Sequence, residues 1–188
     1  MLNYWKRNNI IIRAFEERDI ENFVKNNTMA DSLQQWYYDF ITFPKSSGDV
    51  LKTLEAMLGD SKEDRRILVI ENDNGEYVGE VFIWYADKRN GVFRYGISIY
   101  EQFRGRGYAK NALIIILDYY FNELNYVKCS PTVYEYNKNS QLFHEKLGFV
   151  LEGRLRDEIF TRGKRFDLFY YGMTRGEFNE KYSHFETK

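Results

Sequence analysis

The sequence contains one cysteine, two prolines and two histidines in 188 residues, and these low counts exclude several classes of protein. A single cysteine, Cys129, cannot form an intrachain disulfide. Together with an N-terminal segment that lacks an apolar signal region, this predicts a cytoplasmic location. Two histidines beside one cysteine do not make a zinc cluster, so we expect no bound metal.

The sequence also has no large excess of charge of one sign and no long apolar run. Lys and Arg number 27 against 28 Asp and Glu, and a net charge of −1 argues against a general nucleic-acid-binding protein. The longest apolar run, residues 112–117, is far too short to span a bilayer. We therefore expect neither nucleic acid nor membrane as a partner. Aromatic residues, in contrast, make up 18% of the chain, which suits a packed domain with an aromatic-lined cleft.

Turn signals divide the middle of the chain into antiparallel strands. Asn74-Gly75 and Asn90-Gly91 are strong hairpin signals. They predict three strands, at about residues 66–71, 76–86 and 92–100. The apolar period over residues 109–124 then predicts a long helix lying on the sheet.

The last third of the chain is also rich in β-branched and aromatic residues. Pro131 cannot donate a ladder hydrogen bond, so the strand near residues 128–135 should be bulged or lie at an edge. A closing hairpin should turn near Arg162-Gly163. The order of elements, without repeats or linkers, predicts one α+β domain over residues 9–174 and a polar C-terminal tail over 175–188.

A glycine-rich loop precedes the long helix, and in it Gly105 and Gly107 alternate with Arg104 and Arg106. A helix start has unpaired N–H groups and a partial positive charge, and glycines let an anion approach the backbone. The pattern is typical of a phosphate or pyrophosphate cradle. The alternative is a plain strand-to-helix turn whose two arginines are only solvated, and the same residues are compatible with it. Lys110 stands where the dinucleotide fingerprint needs a third glycine, and the triphosphate-loop motif is absent.

Two segments carry a family resemblance. Gln102-x-x-Gly105-x-Gly107-Tyr108-Ala109 resembles the acetyl-CoA pyrophosphate loop of the GCN5-related N-acetyltransferase (GNAT) family. Residues 137–153, NKNSQLFHEKLGFVLEG, resemble the second signature of that family, and the order of elements also matches. The resemblance covers about residues 9–174. It looks closest to the branch with spermidine acetyltransferases and the acetyltransferases of ribosomal-protein N-termini.

The resemblance implies both a fold and a reaction. The fold would be a single α+β domain whose mixed, mostly antiparallel sheet is splayed between strands 4 and 5 and flanked by helices. The reaction would be direct transfer of the acetyl group of acetyl-CoA to a primary amine: a polyamine, a peptide N-terminus or another small amine. The alternative function is that of a non-catalytic acyl-CoA-binding or regulatory domain on the same scaffold. Whether the chain forms a homo-oligomer stays open.

The resemblance also implies where acetyl-CoA binds. The pantetheine arm would pair with the strand edge that ends in Ile99, and the pyrophosphate would rest on the amides of residues 104–109. Asn137 would form a hydrogen bond with the pantetheine arm. A helix N-cap is an equally expected role for Asn137, and the two roles are compatible. The implied cosubstrate-binding residues are Ile97, Ser98, Ile99, Gln102, Arg104, Gly105, Arg106, Gly107, Tyr108, Ala109, Lys110, Asn137 and Ser140.

Two side chains are candidates for proton transfer. His144 aligns with a tyrosine that in many family members protonates the leaving thiolate, and a histidine can do this too. There are three alternatives. The acid is Tyr134 or Tyr136, the thiolate leaves without an acid, or His144 has only a structural role in its helix. Glu80, on the central strand, could act as a base through water, although a solvated or ion-paired carboxylate is the commoner role.

The acceptor amine is expected near the first helices. Asp31, Trp36 and Tyr37 combine a carboxylate with aromatic rings, which suits a cation, although such helices more often bury their aromatics in the core. Arg94 stands where the branch often has a glutamate. It would either pair with Glu80 or face a carboxylate of the substrate.

Overall fold

The computed structural model describes residues 3–28, 43–59 and 66–182. The chain is a single α+β domain with a mostly antiparallel sheet, as predicted. Its contacts divide it into two compact units, the described parts of Asn3–Tyr85 with Tyr95–Ile116, and Ala86–Arg94 with the described parts of Leu117–Lys188. No helix within the described ranges is long and apolar enough to cross a membrane.

The first unit consists of antiparallel strands and helices. Its strands, neighbours in this order, are β1 Lys6–Arg7, β2 Ile10–Ala14, β3 Arg66–Asn72, β4 Tyr77–Asp87 and β5 Val92–Ile99. Its helices are α1 Ile20–Thr28, α2 Ser47–Leu58 and α3 Tyr108–Asp118. The last residues of β4, the first of β5 and the end of α3 belong to the second unit. Both predicted hairpin turns are confirmed, with left-handed glycines at Gly75 (φ 76°) and Gly91 (φ 63°).

The core of the first unit lies between helices α1 and α2 and strands β3 and β4. It buries Phe23, Val50, Leu54, Ile67, Val69, Tyr77 and Tyr100. Helix α2 begins with a reciprocal capping box, in which Ser46 accepts from the Asp49 amide and the Asp49 carboxylate accepts from the Ser46 amide. These polar contacts satisfy the helix start, so its apolar face can be buried at little cost.

A bulge in β4 changes which side chains share a face. Ile70 pairs with Gly79 and Glu71 pairs with Tyr77, so Val78 is an extra residue. Residues three apart on a regular strand point to opposite faces. The extra residue turns Tyr77 and Glu80 to the same side.

The second unit is organised around a long C-terminal hairpin. Its elements are a π-helical turn Tyr119–Glu123, β6 Lys128–Cys129, β7 Thr132–Tyr134, α4 Lys138–Leu147, β8 Val150–Thr161, β9 Lys164–Thr174 and α5 Arg175–Tyr182. Strand β9 pairs antiparallel with β6, β7 and β8. The predicted closing turn is confirmed, with left-handed Arg162 (φ 53°) and Gly163 (φ 70°).

The predicted irregularity at Pro131 is confirmed. Strand β6 pairs in parallel with only the first two residues of β5, Val92 with Lys128 and Phe93 with Cys129. The Ser130 amide then donates to Phe93 O at 3.0 Å, and Pro131 separates β6 from β7. Because proline has no N–H, the ladder is interrupted there.

The polar tail predicted from residue 175 overlooked helix α5. Phe178 and Tyr182 are buried, and the Phe178 ring lies 5.5 Å from that of Phe121. Lys181 Nζ donates to Lys146 O, and the Tyr182 hydroxyl donates to Leu147 O at 2.9 Å. Two apolar contacts in a polar octapeptide are too few to give a clear helical period. Residues 183–188 lie outside the described part of the chain.

Candidate active site

The glycine loop forms an open cradle at the start of helix α3. Gly105 and Gly107 adopt φ values of 76° and 80°, which side-chain-bearing residues rarely take. A Cβ atom added to either glycine would meet no heavy atom of the described residues within 4 Å. The first helical hydrogen bond runs from the Asn111 amide to Gly107 O at 3.1 Å. The amides of residues 108–110 therefore precede the hydrogen-bonded helix, as at any helix start.

The two loop arginines contact the loop itself. Arg104 Nε donates to Ile99 O at 3.0 Å, and the Arg106 guanidinium donates to Gln102 O at 3.2 Å. Arg106 also lies over the Phe103 ring, 5.8 Å from its centroid. Both side chains therefore help to hold the loop backbone. A contact from either arginine, or from exposed Lys110, to a ligand phosphate stays a prediction.

The strand edge that precedes the loop is held by an unusually close backbone contact. Residues 97–99 are half-buried at the end of β5. A Cβ atom on Gly79 would lie 2.0 Å from Ser98 O, so only glycine allows β4 and β5 to approach as they do. The Tyr100 amide donates to Val78 O at 3.0 Å beside it. Gly79 was not predicted as part of the site, because nothing in the neighbouring sequence marks the contact.

Helix α4 begins and ends at recognisable caps. Asn137 Oδ1 accepts from the Ser140 amide at 3.0 Å, so the N-cap role is confirmed. The helix ends at Gly148, with φ 99°. Binding of a pantetheine arm by Asn137 or Ser140 stays a prediction.

His144 is buried in the second unit and is neutral at pH 7. Its Nδ1 lies 2.7 Å from Ser140 O and therefore carries the proton, which it donates to that carbonyl. The ring stacks on Tyr171, with centroids 5.7 Å apart, and meets the edge of Phe149. Burial lowers the pKa of His144 to about 4, against a smaller opposing effect of the Ser140 hydrogen bond. A neutral ring with its proton on Nδ1 has a lone pair on Nε2, so it must first accept a proton before it can donate one.

Glu80 is a fully buried carboxylate held by two tyrosines. The Tyr77 hydroxyl donates to Glu80 Oε1 at 2.5 Å, and the Tyr100 hydroxyl donates to the same oxygen. The two tyrosine rings meet edge to face, 5.6 Å apart. Burial and the neighbouring carboxylate raise the pKa of both tyrosines well above the usual range. The commoner role expected for Glu80 was that of a solvated or ion-paired carboxylate. Its side chain is fully buried, so the solvated form of that expectation was wrong. The base role stays a prediction.

The predicted acceptor residues are only partly described. Asp31, Trp36 and Tyr37 lie outside the described residues. Arg94 is half-buried, and its guanidinium lies over the Tyr170 ring, 5.9 Å from the centroid. Its pairing with Glu80 and its contact with a substrate carboxylate stay predictions.

The other acid candidates, Tyr134 and Tyr136, stack on each other with ring centroids 5.5 Å apart. Arg162 lies over the Tyr136 ring, 5.9 Å from its centroid. In the described part of the chain, no three His, Cys, Asp or Glu side chains are grouped so that they could hold a metal ion.

Comparison with known proteins identifies the family. The model of the acetyltransferase (GNAT) domain matches residues 9–150. An uncharacterised N-acetyltransferase of the SPbeta prophage of Bacillus subtilis is 37% identical over 94% of this chain and 96% of its own length. A spermidine N(1)-acetyltransferase of Vibrio cholerae is 26% identical over 85% of this chain and 89% of its own.

The fold comparison agrees with the match to the family. The crystal structure of spermidine N-acetyltransferase from Vibrio cholerae in complex with CoA and spermine superposes with a TM-score of 0.77. It covers 90% of this chain and 98% of that chain, at 22% identity. The resemblance inferred from the two sequence motifs is confirmed, and the chain belongs to the GNAT family of acetyltransferases.

Proposed function

We propose that this acetyltransferase moves the acetyl group of acetyl-CoA directly to a primary amine: a polyamine, a peptide N-terminus or another small amine. The observation that carries the proposal is the open glycine loop at the start of α3, where both left-handed glycines face space that no described residue fills. Similarity to a protein named spermidine N(1)-acetyltransferase supports an amine acceptor. The complex of a similar fold with CoA supports the acyl donor.

In this proposal the loop binds the diphosphate of the donor. The amides around Gly105 and Gly107 and the N-terminus of α3 supply hydrogen-bond donors and partial positive charge. Backbone groups of residues 97–99 pair with the pantetheine arm. The close contact between Gly79 and Ser98 holds that edge in place.

The proton path in this proposal involves His144. The amine nitrogen forms a bond to the thioester carbonyl carbon, the carbon–sulfur bond breaks, the nitrogen loses a proton and the sulfur gains one. A neutral His144 accepts at Nε2 a proton that the nitrogen has lost and gives it to the thiolate sulfur. This is consistent with a pKa of about 4, because the ring is charged only during the reaction. Glu80 stays the candidate base, and Tyr134 and Tyr136 are the other candidate acids.

Calorimetric titration with CoA tests the binding site. Gly107→Val places a side chain in the open space of the loop, and we expect CoA binding to weaken by more than about tenfold. Valine at a positive φ is also strained, so Gly163→Val serves as the control. Gly163 has φ 70° and open space, but it lies in the β8–β9 turn. Equal CoA affinity in the two folded variants would contradict the proposed site.

Thiol release from acetyl-CoA tests the reaction. We expect release to depend on an amine when spermidine, a peptide with a free N-terminus and a small alkylamine are supplied in turn. A protein that binds CoA but releases no thiol with any of them would favour the non-catalytic acyl-CoA-binding alternative. His144→Phe should then be assayed at saturating donor and amine. If His144 carries the proton, kcat should fall by roughly 10²–10⁴-fold with little change in KM.

A further inference from the structure

A set of three asparagines, Asn8, Asn9 and Asn111, connects the first hairpin to the glycine loop. Arg7 pairs with Ile10, so Asn8 and Asn9 form the two-residue turn between β1 and β2. Asn8 has φ 49°, the left-handed conformation that such a turn requires and that asparagine tolerates. We call these three residues the asparagine brace.

Asn111 is the centre of the asparagine brace. It lies in the first turn of α3 and is 9% exposed. Its side-chain Oδ1 accepts from Asn8 Nδ2 at 3.1 Å, and its Nδ2 donates to Asn9 Oδ1 at 3.0 Å. Its backbone amide donates to Gly107 O at 3.1 Å. One residue therefore contacts both the hairpin turn and the last residue of the loop.

Asn9 adds a second connection to the loop. Its Nδ2 donates to Arg106 O at 3.4 Å, and Arg106 lies between the two left-handed glycines. Strand β1 has only two residues, so the hairpin that carries this turn is short. The side chains of the turn are directed to the loop and the start of α3, and the contacts join residues about one hundred positions apart in the sequence.

We infer that Asn9 and Asn111 are positioning residues for the loop that takes the diphosphate of the acyl donor. This inference rests on the proposed function. A loop with two glycines has more backbone freedom than other loops, and fixing it when the ligand binds opposes binding. The asparagine brace fixes the loop beforehand, so the same amides bind the diphosphate with less loss of entropy.

The first test compares two turn asparagines. Asn9→Ala removes the contacts to Asn111 and to Arg106 O. Asn90→Ala is the matched control, because Asn90 also lies in a hairpin turn and its side chain bonds Asp87 at 2.6 Å. We expect CoA to bind Asn9→Ala about 3–10-fold more weakly than wild type, the effect of one or two lost hydrogen bonds. The KM for acetyl-CoA should rise by the same factor, with kcat at saturation unchanged.

The second test uses Asn111→Ala, because alanine is the better helix former and does not weaken α3. We expect a similar loss of CoA affinity. Both residues act through one brace. The double variant should therefore bind CoA no more weakly than the single variant that has the lower CoA affinity. Additive losses would contradict a shared brace. Unchanged CoA affinity in both folded single variants would overturn the inference.

The wild-type titration separates this inference from the proposed function. If wild type does not bind CoA, the proposed function fails and the inference fails with it. If wild type binds CoA and the brace variants bind equally well, only the inference fails. A loss of kcat rather than a rise in KM would also contradict a positioning role at the diphosphate.

Discussion

Burial decides the charge state of His144, one of the two side chains singled out for proton transfer. The resemblance places His144 where many family members have a tyrosine acid, and histidine ordinarily titrates near neutrality. In the folded chain its ring is packed between Tyr171 and Phe149, and its pKa is about 4. Glu80 was chosen as a carboxylate on a central strand, but two tyrosine hydroxyls bind it inside the core. The proton-transfer roles of both residues stay predictions, and their buried surroundings were not predictable from the sequence.

Lowering the pH should destabilise the protein through His144. The folded pKa is about 4 and the ordinary value is 6.5, so the unfolded chain takes up the proton first. This contribution to stability is complete above pH 6.5 and is lost as the pH falls towards 4. Between pH 7 and pH 4 we expect wild type to lose up to roughly 3 kcal/mol more unfolding free energy than His144→Phe.

Urea unfolding of both proteins at several pH values measures this difference. Carboxylates such as Asp19, whose pKa is lowered through its hydrogen bonds to Arg13, contribute equally to both proteins and cancel. Parallel curves for wild type and His144→Phe would contradict the depressed pKa.

The tyrosine pair around Glu80 should matter for stability. Tyr100→Phe leaves a buried carboxylate with one hydroxyl donor fewer, while the ring still fills its place. We expect a loss of about 1–3 kcal/mol in unfolding free energy, the usual cost when a buried polar group loses a hydrogen-bond partner. Denaturant unfolding at pH 7 measures it. A Tyr100→Phe protein as stable as wild type would show that Glu80 does not depend on that hydroxyl.

Among the elements, those with local signals were predicted and those without were missed. Asn-Gly turns and the break at Pro131 were found, because their chemistry is contained in a few adjacent residues. The β4 bulge was missed because an extra residue has no signature when the neighbouring strand is unknown. Helix α5 was taken for a tail, since its stability comes from contacts with residues far along the chain.

Helix α4 allows the two predicted roles of Asn137 to be separated. Serine is also a good N-cap, so Asn137→Ser should keep the hydrogen bond to the Ser140 amide and change stability by less than about 0.5 kcal/mol. Asn137→Ala should lose about 1 kcal/mol. If the amide also binds the pantetheine arm, Asn137→Ser should bind CoA more weakly at unchanged stability. Thermal unfolding and CoA titration of both variants decide the matter, and wild-type affinity in Asn137→Ser would leave only the cap.

For the whole molecule, ligand binding should appear as added stability. CoA at one hundred times its Kd should raise the unfolding free energy by about 2.7 kcal/mol, because it binds only the folded chain. Pantetheine has the same arm without the diphosphate, so at equal concentration it should raise the melting temperature much less. Equal stabilisation by the two compounds would show that the glycine loop contributes nothing to binding.

Contacts between segments that lie far apart in the sequence could not be predicted from the sequence. Asn8 and Asn111 are 103 residues apart, and Asn9 and Asn111 are 102 apart. An Asn-Asn pair indicates a turn, but nothing local shows which helix it will meet. The glycine loop itself was predictable, since glycines, arginines and the helix start lie within a few positions of each other.

Helix α5 has a consequence for the order in which the chain is made. It binds the carbonyls at the end of α4, 35 residues earlier in the sequence. On the ribosome, α4 with His144 and Asn137 therefore emerges well before the segment that completes its C-terminus. Its last turn can take its final structure only after residues 175–182 have also been made. A protein cut at residue 174 would contain every predicted site residue, yet would leave Phe121 and the end of α4 uncovered.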